Sequence, residues 1–389
     1  MKMAKTLVTT IALAILTVPA TTLFAAEDDA DALGQFKKIV EGMNQHSFEM
    51  IEEAIDQTDL TNRALSHHAV QADVEDMFRA DFRNVVERGV MGGLPPAGSD
   101  IEADLISFYF QDGLGRAAVR FAYPGYTYRF KVYDLRHDRR GRLKIVDWYD
   151  SSRGQLFSAF LGEELLTAKP TKEATRKILS MNAPTDLQLF QATEILKAIR
   201  DRQAQRFFEI YDELGEQLKR EPLIAKHAVI SAQLVQDMGR FAAANEVFMD
   251  VYADDPDLAL VMSDNHLIMQ NYEDAYLALK RFEQNFPIEE GALPARMSAL
   301  ALAIQKPDEA EKFALLATAN EPGFELGWWS LLRARTSAEN YAGALLPLAH
   351  LEDDFGHHLD EAKLRRDKFR AFTLLAQSQE FEAWRAGRN

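Results

Sequence analysis

The second half of this chain is punctuated at a nearly fixed interval. Pro222, Pro256, Pro287 and Pro322 are followed by Gly356 in the next slot, at spacings of 34, 31, 35 and 34 residues. Upstream of the last four breakers stands one small pattern: Gly239-Arg240-Phe241-Ala242-Ala243-Ala244, Asn271-Tyr272-Glu273-Asp274-Ala275, Lys306-Pro307-Asp308-Glu309-Ala310 and Asn340-Tyr341-Ala342-Gly343-Ala344. Its final alanine lies twelve residues before the breaker every time. Proline cannot continue a helix, because it lacks the N–H and clashes with the preceding turn. A recurring proline therefore marks a recurring helix boundary. The recurring alanine marks a place where two helix backbones approach too closely for a larger side chain, and the turn before it is expected to take Gly or Asn. The aromatic that follows the turn (Phe241, Tyr272, Tyr341) is expected to wedge between helices. Each unit reads as helix, turn, helix and breaker. One such hairpin cannot bury its apolar face alone, so successive units stack into a superhelix with a concave face.

At this period the chain resembles the tetratricopeptide repeat family. Phe241, Ala244, Phe248 and Pro256 carry the resemblance in one unit, and Tyr272, Ala275 and Pro287 in the next. Ala310 and Pro322 follow, then Trp328, Leu331, Tyr341, Ala344 and Leu348. The family's small residue in the first helix corresponds to Ala232, Ser263 and Ser298 but becomes Leu332 in the last unit. The unit ending at Pro287 is three residues short, and the one before Pro222 keeps only Phe207. The resemblance spans residues 186–356, with Leu359 to Phe381 as a capping helix. It implies a partner protein or extended peptide along the concave face of the first helices. The matching positions are Lys226, Gln233, Gln236, Asp237, Asp264, Trp329 and Arg333. A tryptophan and an arginine among polar neighbours suit a binding hot spot. Trp329 beside Trp328 suits packing between helices equally well.

The first half has a different rhythm. Phe36, Ile39, Val40, Met43 and Met50 predict a helix over 33–55, and Val70, Val74, Met77, Phe78, Phe82, Val85 and Val86 a second over 60–90, ended by Gly92 to Pro96. The period then falls to two: Ala117, Val119, Phe121 and Tyr123, then Tyr126, Tyr128, Phe130 and Val132, then Leu143, Ile145, Asp147 and Tyr149, with a short aromatic run from Leu105 to Phe110. The turns at Asp112-Gly113, Pro124-Gly125 and Arg140-Gly141 join antiparallel neighbours. The expected architecture is an α+β unit over 27–165, two helices and a four-stranded antiparallel meander. A linker or helix over 166–185 and an all-α repeat unit over 186–389 follow. By order of elements the first unit resembles the nuclear-transport-factor-2-like or cystatin-like class, which implies a pocket that could gather Tyr109, Arg120, Tyr128, Arg129 and Asp147.

Residues 1–26 read as a secretory leader. Lys2 and Lys5 precede an apolar stretch from Leu7 to Val18, with Ala20, Ala25 and Ala26 as small residues for cleavage. The chain has no cysteine, so disulfides, cysteine metal ligands and thiol nucleophiles are excluded. Net charge is −16, and −18 once Lys2 and Lys5 leave with the leader, which argues against nucleic acid or anionic lipid as partner. His67-His68 and His357-His358 point about 100° apart on a helix and chelate poorly, and solvated surface histidine is expected. There is no zinc-protease, nucleophile-elbow, phosphate-loop or calcium-loop pattern. The expectation is an exported, periplasmic or secreted adaptor for an envelope protein or peptide, with no catalytic residue, metal or cofactor and no span of the membrane once the leader is gone. Self-association is left open. The rival is a ligand-binding or hydrolytic α+β domain for which the repeats are support.

Overall fold

The structure, a computed structural model, describes residues 27–67, 72–123, 127–286, 288–366 and 370–388. The expected leader, His68, Val70, the Pro124-Gly125 turn, Tyr126 and Pro287 lie outside the described residues. N-terminal helices are followed by a five-stranded antiparallel sheet and then by a long run of paired helices.

The first helices are α1 (Glu27–Asn44), α2 (Phe48–Glu52), α3 (Gln57–Ser66) and α4 (Ala72–Met91). The helix expected over 33–55 is broken where His46 turns left-handed (φ 53°) and Ser47 N–H closes back on Gly42 C=O at 2.9 Å. No glycine or proline signals this break. Asp56 then caps α3, accepting from Asp59 N–H at 2.9 Å.

The strands β1 (Ala103–Gln111), β2 (Leu114–Tyr123), β3 (Thr127–His137), β4 (Leu143–Asp150) and β5 (Gln155–Leu156) pair in sequence order, all antiparallel. Helix α5 (Phe157–Ala168) follows. One face of the sheet packs on the N-terminal helices through Phe36, Phe78, Phe121, Tyr133, Trp148 and Phe157, with Trp148 stacked on Phe157 at 3.9 Å. The opposite face, with Tyr128, Phe130 and Tyr149, belongs to the core of the helical half. Period-two alternation thus sends β3 residues to two separate cores.

The helical half comprises α6 (Lys172–Ile178), α7 (Asp186–Arg200), α8 (Ala204–Tyr211), α9 (Glu216–Lys219), α10 (Pro222–Leu234), α11 (Met238–Val251), α12 (Ala259–Ile268), α13 (Tyr272–Asn285), α14 (Ala292–Ala303) and α15 (Pro307–Asn320), then α16 (Glu325–Ser337), α17 (Tyr341–Asp353), α18 (Glu361–Arg366), α19 (Arg370–Ala376) and α20 (Gln379–Ala386). The hairpins α7/α8, α10/α11, α12/α13, α14/α15 and α16/α17 turn at Arg202, Gln236, Gln270, Gln305 and Glu339. All five are left-handed non-glycine residues, spaced 34, 34, 35 and 34 apart. At each, the left-handed N–H bonds back three residues and the next N–H bonds back five, as in Gln236 to Gln233 (3.1 Å) and Asp237 to Ala232 (3.2 Å). This is a Schellman closure. The expected Gly or Asn is displaced from the left-handed position: Asn271 and Asn340 occupy the N-caps of α13 and α17 instead.

The alanines behave as the period requires. Ala244, Ala275, Ala310 and Ala344 are all buried, and Ser263 Oγ reaches Ala275 C=O at 2.9 Å, the close approach that the small residues permit. Phe241 and Phe248 are buried as well, but Tyr272 is exposed, and Tyr276, one turn on, fills the inter-helix space in its place. Pro222 and Pro307 stand in the first turns of α10 and α15, where a missing N–H costs nothing. No helix among the described residues is long and apolar enough to cross a membrane.

Candidate functional site

The sheet and the repeats meet along the connections between units. Arg120 of β2 is buried there and binds three carboxylates. Its Nη1 donates to Glu290 Oε2 (3.1 Å) and Glu321 Oε2 (2.7 Å), and its Nη2 to Glu321 Oε1 (2.9 Å) and Asp104 Oδ2 (3.3 Å). The guanidinium lies 4.6 Å from the ring centre of Phe324. Burial opposes its charge, but the Glu321 hydrogen bond and the surrounding carboxylates outweigh that and raise its pKa. Glu290 also accepts from Ala292 N–H (2.6 Å) and Leu293 N–H (2.5 Å) at the start of α14. Burial still pushes its carboxyl above the usual range. Around this cluster pack Tyr128 on Phe324, Phe130 on Phe282, and Tyr149 on Phe286 at 4.4 Å between ring centres.

A second tie joins α5 to α10. Lys226 Nζ donates to Gln155 Oε1 (2.9 Å) and Glu163 Oε2 (3.1 Å). Beside it, burial and the Lys226 charge push His227 down to about 4, so that ring is neutral at pH 7. A cavity of about 170 Å³ opens where α5, α7 and α10 meet, lined by Leu166, Leu179, Leu196, Ile224 and Tyr252. Its Glu221 carboxylate is already engaged by Ser180 N–H, Ser180 Oγ and Met181 N–H.

The seven residues expected on the concave face are scattered by the structure. Lys226 is consumed by the α5 contact. Gln236 is the left-handed turn residue, and Asp237 caps α11 by accepting from Arg240 N–H at 3.0 Å. Neither projects from a first helix. Asp264 pairs with the buried Arg296 of the next first helix at 2.6 Å. Trp329 donates to Glu325 Oε1 (2.9 Å) and packs beside His357 and Phe372; the single capping helix expected from Leu359 to Phe381 is broken before Phe381, where Ser378 caps α20. Arg333 is partly buried on α16, and Gln233 is exposed on α10. Trp328 is buried, stacked on His350 at 3.9 Å. His357 is partly exposed, and its Nε2 lies 2.7 Å from Glu325.

Large apolar side chains also stay open on the first helices. Phe190 of α7 is 54% exposed and Leu234 of α10 is 65% exposed. Leu187, Ile230 and Ile268 of α7, α10 and α12 are exposed too. The sequence alone does not separate an apolar residue facing a neighbouring unit from one facing water, so it does not mark these positions.

The five residues that the pocket reading gathered do not converge. Tyr109 is exposed on β1, Arg120 and Tyr128 face the repeats, and Arg129 lies over Tyr123. Asp147 is buried, accepting from Ser158 Oγ at 2.5 Å, Ser158 N–H at 3.1 Å and Trp148 N–H at 2.9 Å. Burial lifts its carboxyl above the ordinary range. His67 Nε2 lies 3.0 Å from Ser158 Oγ, so serine stands between carboxylate and imidazole. An activated nucleophile needs the imidazole in the middle, taking the hydroxyl proton while the carboxylate orients it. Here the serine proton is committed to Asp147. No group of three or more metal-ligating side chains occurs among the described residues. No protein-family model matches the sequence, and no curated protein matches it either.

Proposed function

We propose that the protein is an exported adaptor of the tetratricopeptide kind that holds a partner protein or peptide on the first helices of its leading units. The observation that carries this is the exposed apolar set Phe190, Ile230, Leu234 and Ile268 on α7, α10 and α12, helices whose turns recur at a fixed interval. Side chains of that size left in water on adjacent units of a stacked array mark interaction surfaces. The partner therefore presents an apolar stripe, and polar Gln233 on the same helix supplies a hydrogen-bonding rim. Trp329 and Asp264, occupied within the chain, support the array instead of touching the partner. The leader pattern supports a site in the periplasm or outside the cell.

The test is a comparison of cross-linked partner profiles from envelope extract. A Phe190→Asp/Leu234→Asp variant is expected to lose the partner bands that a Tyr272→Asp variant, altered on an exposed second helix, retains. Identical profiles from all three proteins overturn the assignment.

A further inference from the structure

The sheet ends differently on its two sides. Along β4 the edge is closed: Ile145 N–H donates to Ala54 C=O at 2.7 Å, Asp56 N–H donates to Ile145 C=O at 2.8 Å, and β5 pairs with Tyr149 and Asp150. Along β1 it is open. That strand pairs with β2 alone. Its outer edge is met by the Asn44 side chain, which donates to Ala103 C=O at 3.2 Å and accepts from Ala103 N–H at 2.6 Å. Past this clasp, β1 makes no main-chain hydrogen bond outside its ladder with β2 among the described residues.

An unpaired edge is a template for another strand, and folded proteins guard such edges with lysine, proline or a bulge. From Leu105 to Gln111 the strand reads Leu-Ile-Ser-Phe-Tyr-Phe-Gln, with no charge, proline or glycine. A register shift between Leu105 and Ser107 guards its beginning. Ser107 to Gln111 run regularly and unguarded, with Tyr109 53% exposed.

We propose that this edge pairs with β1 of a second copy of the chain, antiparallel about a twofold axis, so that the two sheets become continuous. Charge selects the occupant. Without its leader each copy carries −18, so two copies approach best along a stretch with no charged side chain, and Leu105 to Gln111, between Asp104 and Asp112, is such a stretch. A strand without charge is complementary to itself, and isologous pairing uses one patch twice. With the twofold axis at Tyr109, Phe108 faces Phe110 and Tyr109 faces Tyr109 of the other copy, the cross-strand pairs that stabilise antiparallel ladders.

The experiment measures mass against concentration by light scattering and ultracentrifugation on the chain without residues 1–26, with hydrogen exchange of the β1 amides alongside. A dimer is expected, with β1 protection rising as concentration rises. Tyr109→Lys sets like charges across the junction and is expected to weaken self-association by about tenfold, although it lowers the net negative charge. Leu277→Lys, 48% exposed on the second helix α13 and with the same charge change, is expected to leave the dimer intact. A monomer at every concentration overturns the proposal. So does a dimer indifferent to Tyr109→Lys, or an edge that takes up an extended peptide of another protein without self-pairing.

Discussion

Replacing Arg120 with alanine removes the cation that holds the sheet against the repeats. The cost follows from what is left behind. Glu290 has a side chain 0% exposed, Glu321 30% and Asp104 50%. Asp104 returns to water and contributes little. Glu321 keeps the Gly291 N–H at 2.9 Å and reaches solvent. Glu290 keeps its two main-chain donors in α14 but loses the Arg120 counter-charge in a buried setting. Breaking a buried pair by deleting one partner costs about 3–5 kcal/mol, and the two surviving hydrogen bonds place this case near the lower end, at about 3 kcal/mol. The sign with pH is fixed as well. Burial already raises the Glu290 carboxyl, and without Arg120 it rises further. A raised acid is neutral below its folded pKa, so the penalty is full at pH 8 and shrinks as pH falls through that pKa. Urea unfolding of wild type and variant followed by tryptophan fluorescence, at pH 8 and pH 5, reads both quantities. A difference below about 1 kcal/mol at pH 8, or one that does not diminish at pH 5, refutes the account of the cluster.

Two further outcomes follow from single residues. His227, held at about 4 against an ordinary 6.5, stays neutral in the fold while the unfolded chain takes up a proton. Stability is therefore lost as pH falls from 6.5 toward 4, by up to about 3 kcal/mol, and His227→Leu is expected to flatten that window in denaturation curves. Ala310 is fully buried at the crossing of two helices, so Ala310→Leu overpacks it at about 1–3 kcal/mol. An unchanged midpoint of thermal unfolding would mean that the alanines do not sit where helix backbones crowd.

The period was legible because prolines and alanines act locally. Each reports a helix boundary or a tight crossing without knowledge of anything distant, and Ala244, Ala275, Ala310 and Ala344 lie where that logic puts them. Strand alternation was legible for the same reason, though β5, two residues long, is too short to show a period. The left-handed turn residues are not legible because they are Arg, Gln and Glu, whose side chains do not advertise positive φ. The split of the first helix at His46 is hidden for the same reason. Least legible was the seam between the halves. Arg120 and Glu290 stand 170 residues apart, and an arginine on a strand looks alike in sequence whether it meets water or a buried carboxylate. The same holds for Lys226, whose sequence position fits a groove and whose side chain bridges to α5.

That seam also divides the labour of the repeats. The core that includes Tyr128, Phe130 and Tyr149 extends through α12 to α20, whereas the hairpins α7/α8 and α10/α11 belong to a separate core. The later units spend their inter-unit connections on the sheet. The leading units meet the first domain through the Lys226–Glu163 tie and leave Phe190 and Leu234 in water. If partner binding rests on the leading units, loosening the Arg120 cluster should lower global stability and still spare the partner bands, whereas Phe190→Asp/Leu234→Asp should do the reverse. An Arg120→Ala protein that remains folded yet loses the partner would move the binding surface to the seam itself.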